Sequence, residues 1–250
     1  MSKFVLKPNL SEKADIVLLG DRYRDKLDGA LIKHGLRPIY VPDNPYVDER
    51  LSGHADLSVL HLGENRLVLA PFLKNSNFSK RINELGSEIS FSDTQMRAYP
   101  FDSTLNICIC GEVFFCNPKS VDRACVDILG MRGVEPLSVK QGYTKCAVCV
   151  VDESSIITSD RGIHTAAEKA GFASLLIKEG HIELEGFPYG FIGGSSFKIS
   201  AGELAFTGSI NDHPDAGIIF DFLESRGIEP VFLTDDTIFD VGSILPLTEK

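Results

Sequence analysis

Five glycines recur in the same local setting, and no other feature restricts the fold as tightly. Gly35, Gly86, Gly133, Gly171 and Gly227 each close a helix-compatible stretch and open a short strand-like run. Their spacings are 51, 47, 38 and 56 residues. A glycine just past a helix end takes the left-handed geometry that terminates it. Three of the five continue as Gly-apolar-charged-Pro: Gly35-Leu36-Arg37-Pro38, Gly133-Val134-Glu135-Pro136 and Gly227-Ile228-Glu229-Pro230. A recurrence at this period signals repeated supersecondary units.

The unit is clearest over residues 145–177. Two apolar, β-branched runs flank the tip Asp152-Glu153-Ser154, which is a hairpin signal. Ser159-Asp160 then caps a helix over 161–170 that presents Ile163, Ala166, Ala167 and Ala170 on one face. Gly171 ends it, and 172–177 reads as a buried strand. The unit is ββαβ. Hairpins are also expected over 56–62 with 66–70, 105–110 with 112–116, and 190–199 with 203–207, with Pro118 and Pro214 near the helix starts that follow. The first unit has one strand, 14–20, ahead of its helix, and the C-terminus has a spare strand, 241–247. Their pairing would complete a fifth hairpin. The reading is an α/β fold of five ββαβ units in one domain over 1–250, closed into a five-bladed ring by its terminal strands. Residues 92–102 and 178–188 are expected loops.

The chain is 250 residues, 43% apolar, with a formal charge of −10. That balance disfavours nucleic acid and anionic membranes, which require a basic footprint. The N-terminus, Met1-Ser2-Lys3-Phe4, lacks a signal-like apolar region and no apolar run is long enough to span a bilayer. A cytoplasmic location is expected. Six cysteines in a chain of this size do not make a secreted disulfide scaffold. Cys146 and Cys149 are three apart, so a strand would point them to opposite faces, which argues against zinc. Cys108, Cys110, Cys116 and Cys125 read as core, and no metal or cofactor is expected.

Three segments carry candidate chemistry. Gly53-His54-Ala55-Asp56 places His54 and Asp56 two apart, so a strand would put the carboxylate beside the imidazole. Such pairs at strand starts are commonly plain surface features. Cys146 follows Lys145 near a strand start, with Lys140 close in sequence, a setting that favours thiolate. The commoner fate of such a cysteine is burial in an apolar strand. Ile192-Gly193-Gly194-Ser195 suggests a bulge or a close backbone approach to a ligand, and it lacks the Gly-Lys-Ser/Thr of a phosphate loop. His213-Pro214-Asp215 reads as helix capping, and His34, His61, His164 and His181 as structural.

These motifs resemble the pentein fold of the guanidino-group-modifying enzymes: agmatine and arginine deiminases, amidinotransferases and dimethylarginine hydrolases, with a non-catalytic ribosome anti-association factor as a relative. The chain is also similar, more closely, to uncharacterised bacterial pentein-like proteins. Gly53-His54-Ala55-Asp56 resembles the Gly-His-x-Asp block, and Ile192-Gly193-Gly194 resembles Glu-Gly-Gly with Ile192 in place of glutamate. Cys146 stands at the nucleophile position when the units are counted cyclically. The C-terminal segment 239–244, where those enzymes keep their cysteine, has none.

The resemblance implies a cysteine-dependent hydrolase or amidinotransferase acting on a small guanidine or amidine. Cys146 would be the nucleophile, His54 the proton shuttle and Asp56 the orienting carboxylate. Gly193, Gly194, Lys145 and Asp240 would contact the substrate, with Asp240 replacing the missing glutamate. The alternative is a pentein that binds a small polar ligand or a protein without catalysis.

Overall fold

The structure, a computed structural model, describes residues 2–94 and 97–250. The first unit follows β1 (Lys3–Phe4) and contains β2 (Ile16–Gly20), α1 (Arg24–Lys33) and β3 (Arg37–Val41). The second contains β4 (Val59–Gly63), β5 (Arg66–Leu69), α2 (Asn77–Glu84) and β6 (Glu88–Phe91). The third contains β7 (Cys108–Cys110), β8 (Val113–Cys116), α3 (Arg123–Met131) and β9 (Glu135–Ser138). A single helical turn, α4 (Thr144–Ala147), opens the fourth, before β10 (Cys149–Asp152), β11 (Ser155–Thr158), α5 (Arg161–Lys169) and β12 (Ala173–Leu176). The fifth contains β13 (Ser196–Ser200), β14 (Glu203–Phe206), α6 (Ala216–Ser225) and β15 (Glu229–Phe232). The chain ends in β16 (Leu245–Pro246) and β17 (Thr248–Glu249).

Among the described residues these strands make five three-stranded sheets and one two-stranded pair. In units two to five an antiparallel hairpin is followed by a helix and a third strand parallel to the second. In the first unit β16 supplies the missing antiparallel partner, with Leu245 opposite Leu18 and Pro246 opposite Val17. β1 pairs with β17, so the two ends of the chain meet twice.

All five repeat glycines have positive φ, between 66° and 94°. Each closes its helix with the same pair of hydrogen bonds, as at Gly171, where Gly171 N donates to Glu168 O and Phe172 N to Ala167 O. This is the Schellman arrangement, and it turns the chain directly into the third strand. That strand is the sheet edge. Arg37 N donates inward to Asp15 O, so the absent N–H of Pro38 faces away from the sheet. Pro136 and Pro230 follow Glu135 and Glu229, which donate inward in the same way. The shared Gly-apolar-charged-Pro signature is thus a helix stop joined to an edge strand. Three helices are capped by side chains: Ser76 accepts from Ser79 N, Asp122 from Ala124 N and Asp160 from Ile163 N.

Five buried apolar clusters hold the units together, each shared by two of them. One joins units one and two through Leu18 and Leu67, another units four and five through Val151 and Phe206. Two more join units two to three and three to four. The last joins the fifth unit to the first through Phe197 and Leu19. Cys108, Cys110, Cys116, Cys125 and Cys149 all lie in these cores.

The structure corrects several sequence expectations. First strands are shorter than expected, because the residues before them form turns: Ala55–Leu57, Phe101–Ser103, Thr144–Ala147 and the segment 191–195. The spare strand expected at 241–247 reduces to Leu245–Pro246. Asp122 rather than Pro118 starts α3, and the Asp215 carboxylate accepts from Lys178 N instead of capping α6. The expected loop at 92–102 includes Gln95 and Met96, which lie outside the described residues. Among the described residues no helix is long and apolar enough to cross a membrane.

Candidate active site

The turns that replace the starts of the first strands bring the candidate residues together. His54 precedes the 3-10 turn Ala55–Leu57. Its loop is clamped because three glycines leave room for it. A Cβ on Gly20 would overlap Gly53 O, one on Gly242 would overlap His54, and one on Gly53 would lie 2.7 Å from Arg22 Cβ. Asp56 N donates to Gly242 O at 3.1 Å, fixing the turn to the C-terminal segment.

Cys146 sits on α4, not in a strand as expected. The first-turn N–H groups of a helix have no internal partner. Here they are satisfied from the third unit: Asn106 Oδ1 accepts from Lys145 N at 2.7 Å and from Cys146 N at 3.2 Å. Asn106 Nδ2 donates to Cys146 Sγ at 3.3 Å. The thiol in turn donates to Asp56 Oδ2 at 3.0 Å, which also accepts from Ser243 Oγ at 2.6 Å. Lys145 Nζ donates to Ser243 Oγ at 3.1 Å. The result is a buried relay from Lys145 through Ser243 and Asp56 to Cys146.

One donor atom from each of His54, Asp56 and Cys146 lies within 4.8 Å of the other two. His54 Nε2 and Asp56 Oδ1 are both buried and have no hydrogen-bond partner in the protein. Unsatisfied buried polar atoms are costly and mark positions where a further group belongs. The triad could accept a proton or a substrate N–H. By donor type it could also hold a soft divalent cation.

Protonation states follow from burial. Desolvation lowers the His54 pKa to about 4, with Asp56 opposing and Arg22 reinforcing the shift, so His54 is neutral near pH 7. Desolvation first, then the charges of Asp56 and Asp240, push the Cys146 thiol well above its ordinary range. The expectation that nearby lysines favour thiolate is therefore corrected. Asp240 is raised to about 6 by burial, against hydrogen bonds from Gly242 N and Phe191 N that favour the carboxylate.

A pocket of about 400 Å³ opens onto this cluster and is lined by His54, Cys146 and Asp240 among others. Asp56 and Lys145 lie behind it, lining a void of about 20 Å³ on the other side. Lys145 is corrected from a substrate contact to a buried member of the relay. Gly193 and Gly194 are corrected as well. A Cβ on Gly193 would lie 2.5 Å from Lys145 O, and one on Gly194 would overlap the Asp240 carboxylate. Their bareness serves packing, and neither lines the pocket. Ile192, where the resembling enzymes carry glutamate, is buried in the core between units four and five. Sequence reasoning missed Asn106 and Ser243. The available signal was a lone polar residue in the apolar run Leu105-Asn106-Ile107; nothing in the local sequence singled out Ser243.

The backbone matches solved structures of guanidino-group-modifying enzymes. An amidinotransferase of the saxitoxin pathway from Microseira wollei matches with a TM-score of 0.57 at 8% identity, covering 95% of this chain and 96% of that one. The agmatine deiminase of C. jejuni matches at 0.57 and 12% identity, covering 93% and 90%. Inosamine-phosphate amidinotransferase from Streptomyces griseus matches at 0.56 and 10%, covering 93% and 91%. These likenesses give the chain the pentein fold. No curated protein matches it in sequence. A family model spans residues 18–245, and the chain belongs to the family that this model describes, a family of unknown function, DUF6873.

Proposed function

We propose that this protein is a cysteine-dependent hydrolase or amidinotransferase acting on a small guanidine or amidine. The observation that carries the reading is the convergence of His54, Asp56 and Cys146 beside a pocket that His54 and Cys146 line, with two of their buried polar atoms unpartnered. The neighbours named above are an agmatine deiminase and two amidinotransferases, which agrees with that chemistry. The architecture is read as one domain, a closed five-bladed β/α-propeller, supported by cores that link each unit to the next and the fifth to the first. Six unpaired, buried cysteines fit a reducing compartment such as the cytoplasm.

The mechanism starts from thiol and neutral imidazole. An amidinium enters with its N–H groups toward Asp240 and Asp56 Oδ1. Its positive charge favours thiolate beside the two carboxylates. The Cys146 proton moves to His54, directly or through Asp56 Oδ2. Sγ attacks the central carbon, and the C=N electron pair moves to nitrogen. His54 then protonates the departing amine, and the C–N bond breaks to leave an amidino adduct on Sγ. Water attacks the adduct to give a urea or amide, or an acceptor amine attacks to give a new guanidine, and the thiol reforms.

A second reading is a pentein that binds a ligand without turnover, and the high thiol pKa favours it. Incubation with arginine, agmatine, methylated arginines and chloroacetamidine, followed by intact-mass analysis, separates the two. A single adduct at Cys146 that is lost in His54→Ala supports the enzyme. No adduct and no released amine across the panel leaves the binder.

A further inference from the structure

We infer, building on the guanidine or amidine chemistry above, that the substrate has one cationic head and an apolar aryl or alkyl tail without a carboxylate. The head faces Asp240, the only Asp or Glu among the described lining residues. No lysine or arginine lines the pocket among those residues. The remaining wall is hydrocarbon and aromatic: Leu51, Tyr99, Tyr143, Phe187, Tyr189 and Phe191.

Three polar tips of the pocket are already used. Tyr143 Oη donates to Asp102 at 2.6 Å, and Tyr189 Oη donates to Glu179 at 3.1 Å. Gln141 donates to Asp160 and accepts from Tyr143 N. Tyr143 and Tyr189 therefore present rings rather than hydroxyls. The rings form two groups, Tyr99 with Tyr143 at 5.4 Å between centroids and Tyr189 with Phe191 at 6.3 Å, which suit a flat apolar tail.

A carboxylate on the tail would find no counter-ion among the described residues lining this pocket. Arg22 and Lys26 line the adjoining cavity of about 840 Å³, where Asp43 and Asp236 already pair with them. Arg50 stacks on Phe187 at 4.1 Å, but its guanidinium is held by Asp48 and by Gly186 O. The carboxylates of Asp102 and Glu179 behind the tyrosines, together with Asp240, would repel an anionic tail. An α-amino acid such as arginine is thus poorly matched, and so is the second ammonium of agmatine, which would exchange water for hydrocarbon.

The test is calorimetric titration of Cys146→Ser, which cannot turn over, with benzylguanidine, agmatine, arginine and neutral benzylurea. Benzylguanidine should bind at least about tenfold tighter than each of the other three. Phe187→Ala should weaken benzylguanidine binding and leave methylguanidine binding unchanged. The rise in melting temperature of the wild-type protein with the same compounds gives the ordering independently of the serine variant. Equal or tighter binding of arginine or agmatine, or no binding of benzylguanidine, overturns the inference. Mass analysis of the wild-type protein reads the chemistry separately. Selective binding of benzylguanidine with no adduct or turnover of any guanidine would sink the catalytic reading alone. Adducts formed equally well from arginine and benzylguanidine would sink the tail preference alone.

Discussion

Replacing Asn106 with alanine tests how Cys146 is held. Asn106 Oδ1 is the acceptor for two N-terminal N–H groups of α4, at 2.7 and 3.2 Å, and the side chain is 1% exposed. Tyr143, at the helix N-cap, makes no side-chain capping bond, so no local residue takes over. Each buried donor left without a partner costs about 1–3 kcal/mol. Two donors give about 2–6 kcal/mol, and a water entering the space left by the amide brings the expectation to about 3 kcal/mol. For a chain of this length each kcal/mol shifts Tm by about 2–4 °C, so Asn106→Ala should melt about 6–12 °C lower. Asn65→Ala is the control, because its exposed bond to Gly86 O should matter by no more than about 0.5 kcal/mol. Melting by circular dichroism, with denaturant titration for the free energy, measures both. If Asn106→Ala melts within about 2 °C of wild type, α4 is not secured from the third unit, and the account of how Cys146 is positioned fails.

Five further outcomes are expected. Asp240 has its pKa raised from 3.8 to about 6, so the native state binds the extra proton between these values and loses stability as pH rises through them. Asp240→Asn should therefore gain stability relative to wild type from pH 4 to 7, by about 3 kcal/mol, and a flat difference in denaturant titrations would refute it. His54, lowered from 6.5 to about 4, works in the opposite sense, losing stability as pH falls through that window, and His54→Gln should remove this loss. Gly193→Val should lower Tm sharply, because a Cβ there would lie 2.5 Å from Lys145 O. Gly217→Ala, with open space around its Cβ in α6, should raise stability by about 0.5–1 kcal/mol. Iodoacetamide should label Cys146 in the folded protein with an apparent pKa above the ordinary value of about 8.5, and half-maximal labelling near pH 7 would contradict its burial between two carboxylates.

The repeat was legible because its signal is local. A glycine at each of the five repeat helix ends and a proline at three of the five edge strands are set by backbone geometry within a few residues, and five positive φ values follow. The segments ahead of the hairpins were not legible. Residues 53–57 and 143–147 alternate or run apolar like strands, yet they fold as turns because distant groups hold them: Gly242 and the bare α-carbon of Gly20 for the first, Asn106 for the second. Such contacts reach across 33 residues from Gly20 to Gly53, and 39 and 40 from Asn106 to Lys145 and Cys146, beyond any window of periodicity. Spacing nevertheless picked side chains that meet, since donor atoms of His54, Asp56 and Cys146 lie within 4.8 Å of one another. It misjudged their state, because charge near in sequence is not charge near in space. Lys145 ends on the far side of Asp56, and desolvation outweighs it at the thiol.

The substitution of Ile192 for an expected glutamate bears on the proposed chemistry in a way that only packing reveals. Ile192 is 1% exposed in an apolar core shared by β10 and β14, so a glutamate there would bury an unpaired charge at a cost of several kcal/mol. Restoring the carboxylate at that position would damage the fold before it improved any cation site. Asp240 offers the same charge from a different segment, on ground prepared for it. Gly194 leaves room against its oxygens, and two backbone N–H groups donate to them. If the pocket takes an amidinium, Asp240→Asn should weaken its binding by at least about tenfold at pH 7, where the native carboxylate is ionised. The effect should shrink as pH falls below about 6, because the wild type then loses the charge too. A loss of affinity that stayed constant from pH 5 to 8 would mean that Asp240 acts through packing, and the cation would have to be held elsewhere.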